Sequence, residues 1–328
     1  MNLLLAVDIG GTKTLFQLSN ETGDVIAEQS YASQQYKSFD LLLGEFLGQQ
    51  EITKQSIVSA CFAVAGPVVG KQAIITNLPW KLDADKLARD FSIKHIQLCN
   101  DFVAVAYGIA CLADDEIEVL QEGEADLAMP KAVIGAGTGL GQALMFPEKD
   151  AWKVVATEGG NVDFAPTDQN QVRLLEHMMQ RFDHVSYECI VSGPGLVIIY
   201  DFLRGYQQRV ENPDLRQAMI DGDPAAAISE FALKQCDELA IEALDMFIKI
   251  YGAQAGNLAL SVIPMAGLYI AGGIAAKNIE RFQDAGFLEA FRAKGKMRHL
   301  VEKIPVYVIL QPKVGLMGAR LLAQQSVV

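Results

Sequence analysis

Residues 3–18, LLLAVDIGGTKTLFQL, decide the fold of this protein. Two apolar runs predict the strands of a buried hairpin, and the turn between them carries an aspartate, glycines, threonines and a lysine. Glycine has no side chain, so such a turn can bring several backbone N–H groups close to an anion. Hydroxyl groups and an ammonium would assist in binding a phosphate, and the aspartate could hold hydrated Mg²⁺ beside it. The residues predicted to take part are Asp8, Gly10, Gly11, Thr12, Lys13 and Thr14.

A second hairpin of the same design, KAVIGAGTGLGQALMF, begins at residue 131. It is not a dinucleotide fingerprint, because Leu140 stands where that motif needs glycine and an apolar run follows instead of a helix. The P-loop pattern GxxxxGK[ST] occurs nowhere in the chain. Either turn by itself could be purely structural, but two of them roughly 125 residues apart indicate a weak internal duplication.

A third glycine pair, after the strand LYIA, offers a small-residue surface against which a flat adenine could pack. Together, the three glycine segments favour a nucleotide as ligand over a purely structural role. The predicted contacts outside the first hairpin are Gly135, Gly137, Thr138, Gly139, Gly272 and Gly273.

Length and composition limit the class of protein. A chain of 328 residues exceeds the usual size of a single core, so two lobes are expected. The net charge of −13 opposes binding to nucleic acid or to anionic membranes. The five cysteines are widely separated and lack CxxC spacing, which predicts buried, reduced thiols in a cytoplasmic protein. The N-terminal segment lacks the positive start and the length of a secretory signal.

The stretch 250–276 contains no charged residue and is long enough to suggest a membrane span. Several glycines and Pro264 interrupt it, and they predict instead the end of a helix, a loop and a short buried strand. We therefore expect no membrane-spanning segment here.

The rest of the sequence predicts alternating strands and helices, as in an α/β protein. Helical spacing of apolar residues predicts a helix over 38–50, Asp83 is a plausible N-cap of the next helix, and a further helix is expected over 103–112. The region 170–260 reads as mostly helical, and a strand and a helix finish the chain. We place the domain boundary near 111, with the last helix returning to the first lobe. The predicted domains are a small α/β lobe, 1–111 plus about 312–328, and a large α/β lobe, 112–311.

The ordered set of motifs resembles that of the sugar kinase, hsc70 and actin superfamily. Over nearly the whole chain it is similar to the bacterial ATP-dependent glucokinases, in the segments DIGGTKT, NDFVAVAYG, GAGTGLG, EGGNVDFAP, SGPGLVIIY, AGGIAAKN and VGLMGA. EGGxVDFAP and SGPGL separate this group from the ROK-type sugar kinases, whose zinc-binding cysteine and histidine cluster is missing. Lys13 stands where the group usually has asparagine. The resemblance implies a two-lobed, actin-like ATPase (ribonuclease H-like) fold with the active site in the cleft between the lobes.

The resemblance also assigns roles to residues. Asp101 would be the general base that accepts the proton of the sugar 6-hydroxyl, and Asn100 would bind sugar hydroxyls. Glu158 and Glu188 would accept hydrogen bonds from other hydroxyls. Asn161 stands where the family usually has a histidine that touches the sugar. The alternatives are that Asp101 only caps a helix and that the two glutamates are ordinary surface or turn carboxylates.

The implied activity is transfer of the ATP γ-phosphate to glucose, with Mg²⁺ as cofactor, in a cytoplasmic homodimer. A kinase for mannose, fructose or an N-acetylhexosamine remains an alternative, because asparagine at 161 is shorter than histidine and cannot become charged. A non-catalytic sugar-sensing regulator is a second alternative. An actin-like polymer is disfavoured, because the predicted sugar contacts would then have no purpose.

Overall fold

In a computed structural model of the chain, the described residues are 2–50, 57–149, 151–284 and 286–326. The chain divides into two compact units. Unit 1 comprises Met1–Asp114 and Gln311–Val328, and unit 2 comprises Asp115–Leu310. Both units are α/β.

Unit 1 is built on a five-stranded sheet and a smaller three-stranded sheet. The strands are β1 (Leu3–Ile9), β2 (Lys13–Asn20), β3 (Val25–Ala32), β4 (Ile57–Val64), β5 (Val68–Val69), β6 (Gln72–Ile74), β7 (Lys81–Asp83) and β8 (His95–Asn100). The larger sheet has the order β3-β2-β1-β4-β8 and the smaller one β5-β6-β7. β1 pairs antiparallel with β2 and parallel with β4, and β4 pairs parallel with β8. The helices are α1 (Phe39–Gln49), α2 (Ala84–Phe91), α3 (Asp101–Gly108) and, from the C-terminal segment, α13 (Val314–Gln325).

Successive residues of β1 face opposite sides of the main sheet, as the period of a strand requires. Val7 belongs to the apolar cluster that includes Phe39 of α1, whereas Ala6 belongs to the cluster that includes Leu316 of α13. The central strands β1 and β4 are therefore buried on both faces, which explains their continuous apolar runs.

The C-terminal helix α13 packs against α3 with backbone contact. A Cβ atom added to Gly318 would lie 1.8 Å from the carbonyl oxygen of Ala104, and one added to Gly108 would lie 2.0 Å from that of Val314. Only glycine permits this approach at either position. Helix α13 is thus packed within unit 1.

Unit 2 contains a six-stranded sheet. The strands are β9 (Ile117–Gln121), β10 (Lys131–Ala136), β11 (Leu140–Glu148), β12 (Ala151–Thr157), β13 (Leu268–Ala271) and β14 (Val306–Ile309). The sheet has the order β12-β11-β10-β13-β14-β9. Its first five strands repeat the arrangement in unit 1, in which antiparallel strands are followed by parallel ones. This repetition agrees with the internal duplication expected from the two glycine turns. The helices are α4 (Gln169–Met178), α5 (Gly193–Gln207), α6 (Pro213–Asp221), α7 (Pro224–Leu233), α8 (Glu238–Val262), α9 (Gly273–Lys277), α10 (Ile279–Gln283), α11 (Gly286–Arg292) and α12 (Arg298–Val301).

Helix α8 is the central helix of unit 2. The hydroxyl of Tyr251 accepts a hydrogen bond from the N–H of Ala136 (3.1 Å) and donates one to the carbonyl of Ile134 (3.2 Å), which ties the helix to β10. The helix ends at Val262 and the next strand begins at Leu268, so the uncharged stretch divides as predicted. Across the described ranges, no helix is both long and apolar enough to cross a membrane.

Two helices of unit 1 lie where local sequence patterns predicted them. The helix expected over 38–50 is α1, and Asp83 caps α2 by accepting a hydrogen bond from a backbone N–H. The expectation of a helix over 103–112 is wrong by about half a turn at its start. That helix, α3, begins at Asp101 because the side chain of Asn100 caps it, and only a 3₁₀ turn follows Gly108.

The cysteines are all unpaired. Cys61 and Cys99 are buried on neighbouring strands. Cys111 and Cys189 are only half-buried and Cys236 is exposed, so the prediction of buried thiols is wrong for Cys236 and holds only in part for the other two. Cys236 follows the end of α7, in a connection to α8 that lies on the surface.

Candidate active site

The turn between β1 and β2 is held by a small hydrogen-bond network. The N–H of Gly10 donates to the carbonyl of Lys13 (2.9 Å), and the N–H of Ser33 donates to that of Thr12 (2.9 Å). The Ser33 hydroxyl donates to the carbonyl of Gly10 (2.8 Å). Among the residues that the structure describes, no acceptor is bonded to the N–H groups of Gly11 and Thr12. Two consecutive donors are therefore left at the turn for an anion, beside the exposed Lys13 side chain.

Thr14 does not present its hydroxyl to a ligand, contrary to the prediction. Its side chain is fully buried and its Oγ1 lies 2.9 Å from Oγ of Ser33. Thr14 occupies every second position of β2 together with Phe16 and Leu18, which are core residues. Strand alternation places all three on the core face, and this signal was available in the sequence. Ser33, which supports the turn through Gly10 and Thr14, carries no comparable sequence signal.

Asp8 lies on β1 directly before the turn, and burial raises the pKa of its carboxyl to about 6. Its Oδ2 would lie 3.5 Å from a Cβ added to Gly315, at the start of α13. Within the described ranges, no hydrogen bond or ion pair reaches this carboxylate. Asp8 is half-buried, and a nearby cation would favour the ionised form of such a partnerless carboxyl group. The site therefore fits a hard divalent ion such as Mg²⁺, whose preferred ligands are oxygen atoms.

The turn between β10 and β11 has the same character. The N–H of Gly137 donates to the carbonyl of Gly139 (2.9 Å), and the carbonyl of Gly137 accepts from the N–H of Gly193 (2.8 Å). In the described part of the chain, the N–H groups of Thr138 and Gly139 have no protein acceptor. As in unit 1, two consecutive donors remain for an anion.

Gly135, predicted to contact the nucleotide, is buried inside β10. It pairs with Gly141 of β11 on one side and with Ala271 of β13 on the other. It therefore contributes to the sheet beneath the turn and not to the ligand-facing surface.

The glycine pair after β13 is exposed. Gly272 has φ +89°, and a Cβ added there would lie 2.3 Å from the carbonyl of Ala136. A Cβ added to Gly273 would meet nothing within 4 Å, and α9 begins at this residue. Gly272 is needed for the chain to pass over the end of β10, and Gly273 leaves open space that a flat ring could occupy.

In unit 1, Asn100 and Asp101 lie where β8 becomes α3. Oδ1 of Asn100 and Oδ1 of Asp101 each accept a hydrogen bond from the N–H of Phe102, both at 2.9 Å. Nδ2 of Asn100 also donates to the carbonyl of Gly66 (3.4 Å). The positive end of the helix dipole favours an ionised carboxylate at this position.

In unit 2, Glu158, Asn161 and Glu188 are brought together by backbone hydrogen bonds. The N–H of Asn161 donates to the carbonyl of Glu158 (2.9 Å), and the N–H of Glu188 donates to the carbonyl of Gly160 (2.8 Å). Gly160 is buried, and a Cβ there would lie 2.0 Å from the carbonyl of Leu140. Glu158 and Asn161 are exposed and Glu188 is half-buried, so this group of three residues, here called the sugar corner, can receive a polar ligand.

Glu188 also contacts the glycine turn of its own unit. Its Oε2 accepts a hydrogen bond from the N–H of Leu140 (2.9 Å), and a Cβ added to Gly139 would lie 2.5 Å from the same oxygen. One carboxylate thus joins the sugar corner to the turn whose Thr138 and Gly139 N–H groups can bind an anion. No sequence pattern indicated this contact, because it links residues nearly 50 positions apart.

The fold is that of the sugar kinases of the actin-like ATPase class. The crystal structure of a glucokinase from an Antarctic psychrotroph has a TM-score of 0.80 and 28% identity to the chain, covering 99% of both chains. That of a glucokinase from Balamuthia mandrillaris in complex with glucose has a TM-score of 0.83 at 23% identity, covering 98% of this chain and 94% of that one.

The family follows from the sequence comparison. The Glucokinase family profile matches residues 5–326. The glucokinase of Nostoc punctiforme is 44% identical over 98% of this chain and 99% of its own length. The chain therefore belongs to the glucokinase family, as the motif resemblance indicated.

Proposed function

We propose that the protein transfers the γ-phosphate of ATP to the 6-hydroxyl of glucose, giving glucose 6-phosphate and ADP. The observation that carries this proposal is the dual contact of Glu188, which joins the sugar corner to an anion-binding glycine turn. The names of the relatives support glucose as the substrate, and the Balamuthia mandrillaris glucokinase was solved with glucose bound.

The residues proposed to bind glucose are Asn100, Asp101 and those of the sugar corner. Ionised carboxylates accept hydrogen bonds only, so they suit a ligand with many hydroxyl donors. We propose that the two units correspond to the small and large lobes expected from the sequence. The N–H groups of both glycine turns, with Lys13, would bind the phosphates, and the open space at Gly273 would accept the adenine.

Asp101 is the proposed general base. The oxygen of the sugar 6-hydroxyl attacks the γ-phosphorus, the bond from that phosphorus to the β,γ-bridging oxygen breaks, and the hydroxyl proton passes to the carboxylate. The hydrogen bond from Phe102 occupies Oδ1 and orients the group. Phosphoryl transfer depends mainly on positioning and charge neutralisation, which fixed N–H groups supply without rearrangement.

Asp8 is the residue proposed to hold Mg²⁺, through water, because its half-buried carboxylate otherwise faces no cation among the described residues. When bound, the ion would neutralise charge on the phosphate oxygens. Asp8 itself would fix the position of the ion at the end of β1, next to the turn formed by Gly10 and Gly11.

The decisive experiment measures ADP release with Mg·ATP and glucose, mannose, fructose or N-acetylglucosamine, and without sugar. Rapid release with glucose supports the proposal, and only slow release is expected without sugar, because water is a poor competitor in a site organised around a sugar.

Asp101→Asn is expected to lower kcat by ~10²–10⁴ through loss of the base. Asp85→Asn, which also lies in the first turn of a helix but is exposed, is the matched control. Near-normal kcat for Asp101→Asn would remove this residue from the role.

A second candidate function is phosphorylation of another hexose. It is favoured by Asn161, which is exposed beside Glu158 and offers an amide where the family usually has histidine. Preference for another sugar in the same panel would support it, and no turnover with any sugar would support the sugar-sensing regulator. The homodimer and the cytoplasmic location stay predictions.

A further inference from the structure

Helix α8 carries two amide side chains in an otherwise apolar setting. Gln254 is only 4% exposed, and Asn257 lies one helical turn further on. Nδ2 of Asn257 donates to Oε1 of Gln254 (3.2 Å) and to the hydroxyl of Tyr187 (3.1 Å). Lys294 donates from Nζ to Oδ1 of Asn257 and to the carbonyl of Ala253, both at 2.8 Å. A buried polar network of this kind is stabilising only when its members are satisfied.

Lys294 determines which group donates and which accepts in each hydrogen bond of this network. An ammonium can only donate, so Oδ1 of Asn257 must face it and Nδ2 must point away. The amide of Gln254 is then oriented in turn, because its Oε1 accepts from Asn257 and its Nε2 is left to donate. The Tyr187 hydroxyl likewise accepts from Asn257 and donates to the carbonyl of Ala165 (3.4 Å).

Both branches of the network reach residues that lie next to the sugar corner in the sequence. Nε2 of Gln254 donates to the carbonyl of Gly159 (3.4 Å), the residue after Glu158. Tyr187 directly precedes Glu188. We propose that Gln254, Asn257 and Lys294 are positioning residues for glucose. They hold the carboxylates of Glu158 and Glu188 at fixed positions relative to each other. This inference rests on the proposed function, because it assumes that these two carboxylates bind the sugar.

The packing of α8 leaves room for the lysine. A Cβ added to Gly256 would lie 2.4 Å from Cε of Lys294 and 2.5 Å from the carbonyl of Phe291. The lysine side chain therefore crosses the helix at the one residue of that turn without a side chain. This space is required for Nζ to reach both Ala253 and Asn257.

Asn257→Asp tests the positioning role against a merely structural one. Aspartate keeps the hydrogen bond from Lys294 and makes it an ion pair, so the free energy of unfolding should stay equal or rise. It cannot donate, so Gln254 must turn its amide toward the new carboxylate and present an oxygen to the carbonyl of Gly159. We expect KM for glucose to rise about tenfold while KM for ATP and kcat change less than about twofold.

The second variant is Gln254→Glu. Its carboxylate can still accept the hydrogen bond from Asn257 but cannot donate to the carbonyl of Gly159. We therefore expect the same selective rise in KM for glucose. Gln169→Glu, exposed at the start of α4, introduces the same charge and should leave all constants unchanged. Unaltered KM for glucose in both network variants would overturn the inference, as would equal losses in stability, kcat and both KM values. Failure of the wild-type protein to phosphorylate glucose would instead overturn the proposed function.

Discussion

Asp8 provides the sharpest test of the candidate site, because its substitution should stabilise the protein and abolish most of its activity. The carboxyl has a pKa of about 6 in the native protein against an ordinary value of 3.8, and burial is the cause. At 1.36 kcal/mol per pKa unit, the ionised group costs the native state up to ~3 kcal/mol near neutral pH. Asparagine removes the charge but leaves an amide with few partners, so we expect a net gain of ~1–3 kcal/mol.

The sign of the pH dependence follows from linkage. The native state of the wild-type protein keeps its Asp8 proton to higher pH than the unfolded chain does, so this group lowers stability as the pH rises from about 4 through 6. The difference in unfolding free energy between Asp8→Asn and wild type should therefore be small near pH 4 and reach its full value above pH ~7. Urea unfolding without Mg²⁺ or nucleotide across this range measures it.

Asp24→Asn is the control with the opposite sign. Hydrogen bonds from Asn20 and Thr22 lower the pKa of the Asp24 carboxyl, so its contribution to stability is lost as the pH falls. In the kinetic assay, Asp8→Asn should lower kcat by ~10²-fold or more, because the proposed metal ligand is gone. A variant less stable than wild type at pH 7.5, or a stability difference independent of pH, would refute the reasoning about Asp8.

Two glycine substitutions test other contacts. Gly139→Ala should raise KM for glucose and for ATP together, because its Cβ would meet the Glu188 carboxylate at 2.5 Å; a change in only one constant would contradict the dual contact of Glu188. Gly318→Ala should lower the free energy of unfolding by ~1–3 kcal/mol or more in urea titrations, because its Cβ would lie 1.8 Å from the carbonyl of Ala104. Gly48→Ala, with nothing within 4 Å, should stabilise α1 by up to ~1 kcal/mol, and equal effects of these two changes would contradict the packing of α13 on α3.

The sequence by itself determined several elements of unit 1 and the two glycine-rich turns between paired strands. Strand and helix periods are local properties, so β1, β2, α1 and the cap at Asp83 could be predicted within a residue or two. The two hairpins could be matched to each other by their glycines alone. The motif resemblance, which covers nearly the whole chain, indicated the family that the comparisons show.

The tertiary structure decided which atoms face a ligand and which support those atoms. Thr14 is directed into the core and Gly135 is enclosed by neighbouring strands, although both belong to motifs that bind phosphate in the sequence-based prediction. The contact between Glu188 and Leu140, and the approach of Lys294 to α8, join residues that are distant in the chain. Such contacts depend on how strands and helices pack, and no periodicity within a single segment encodes them.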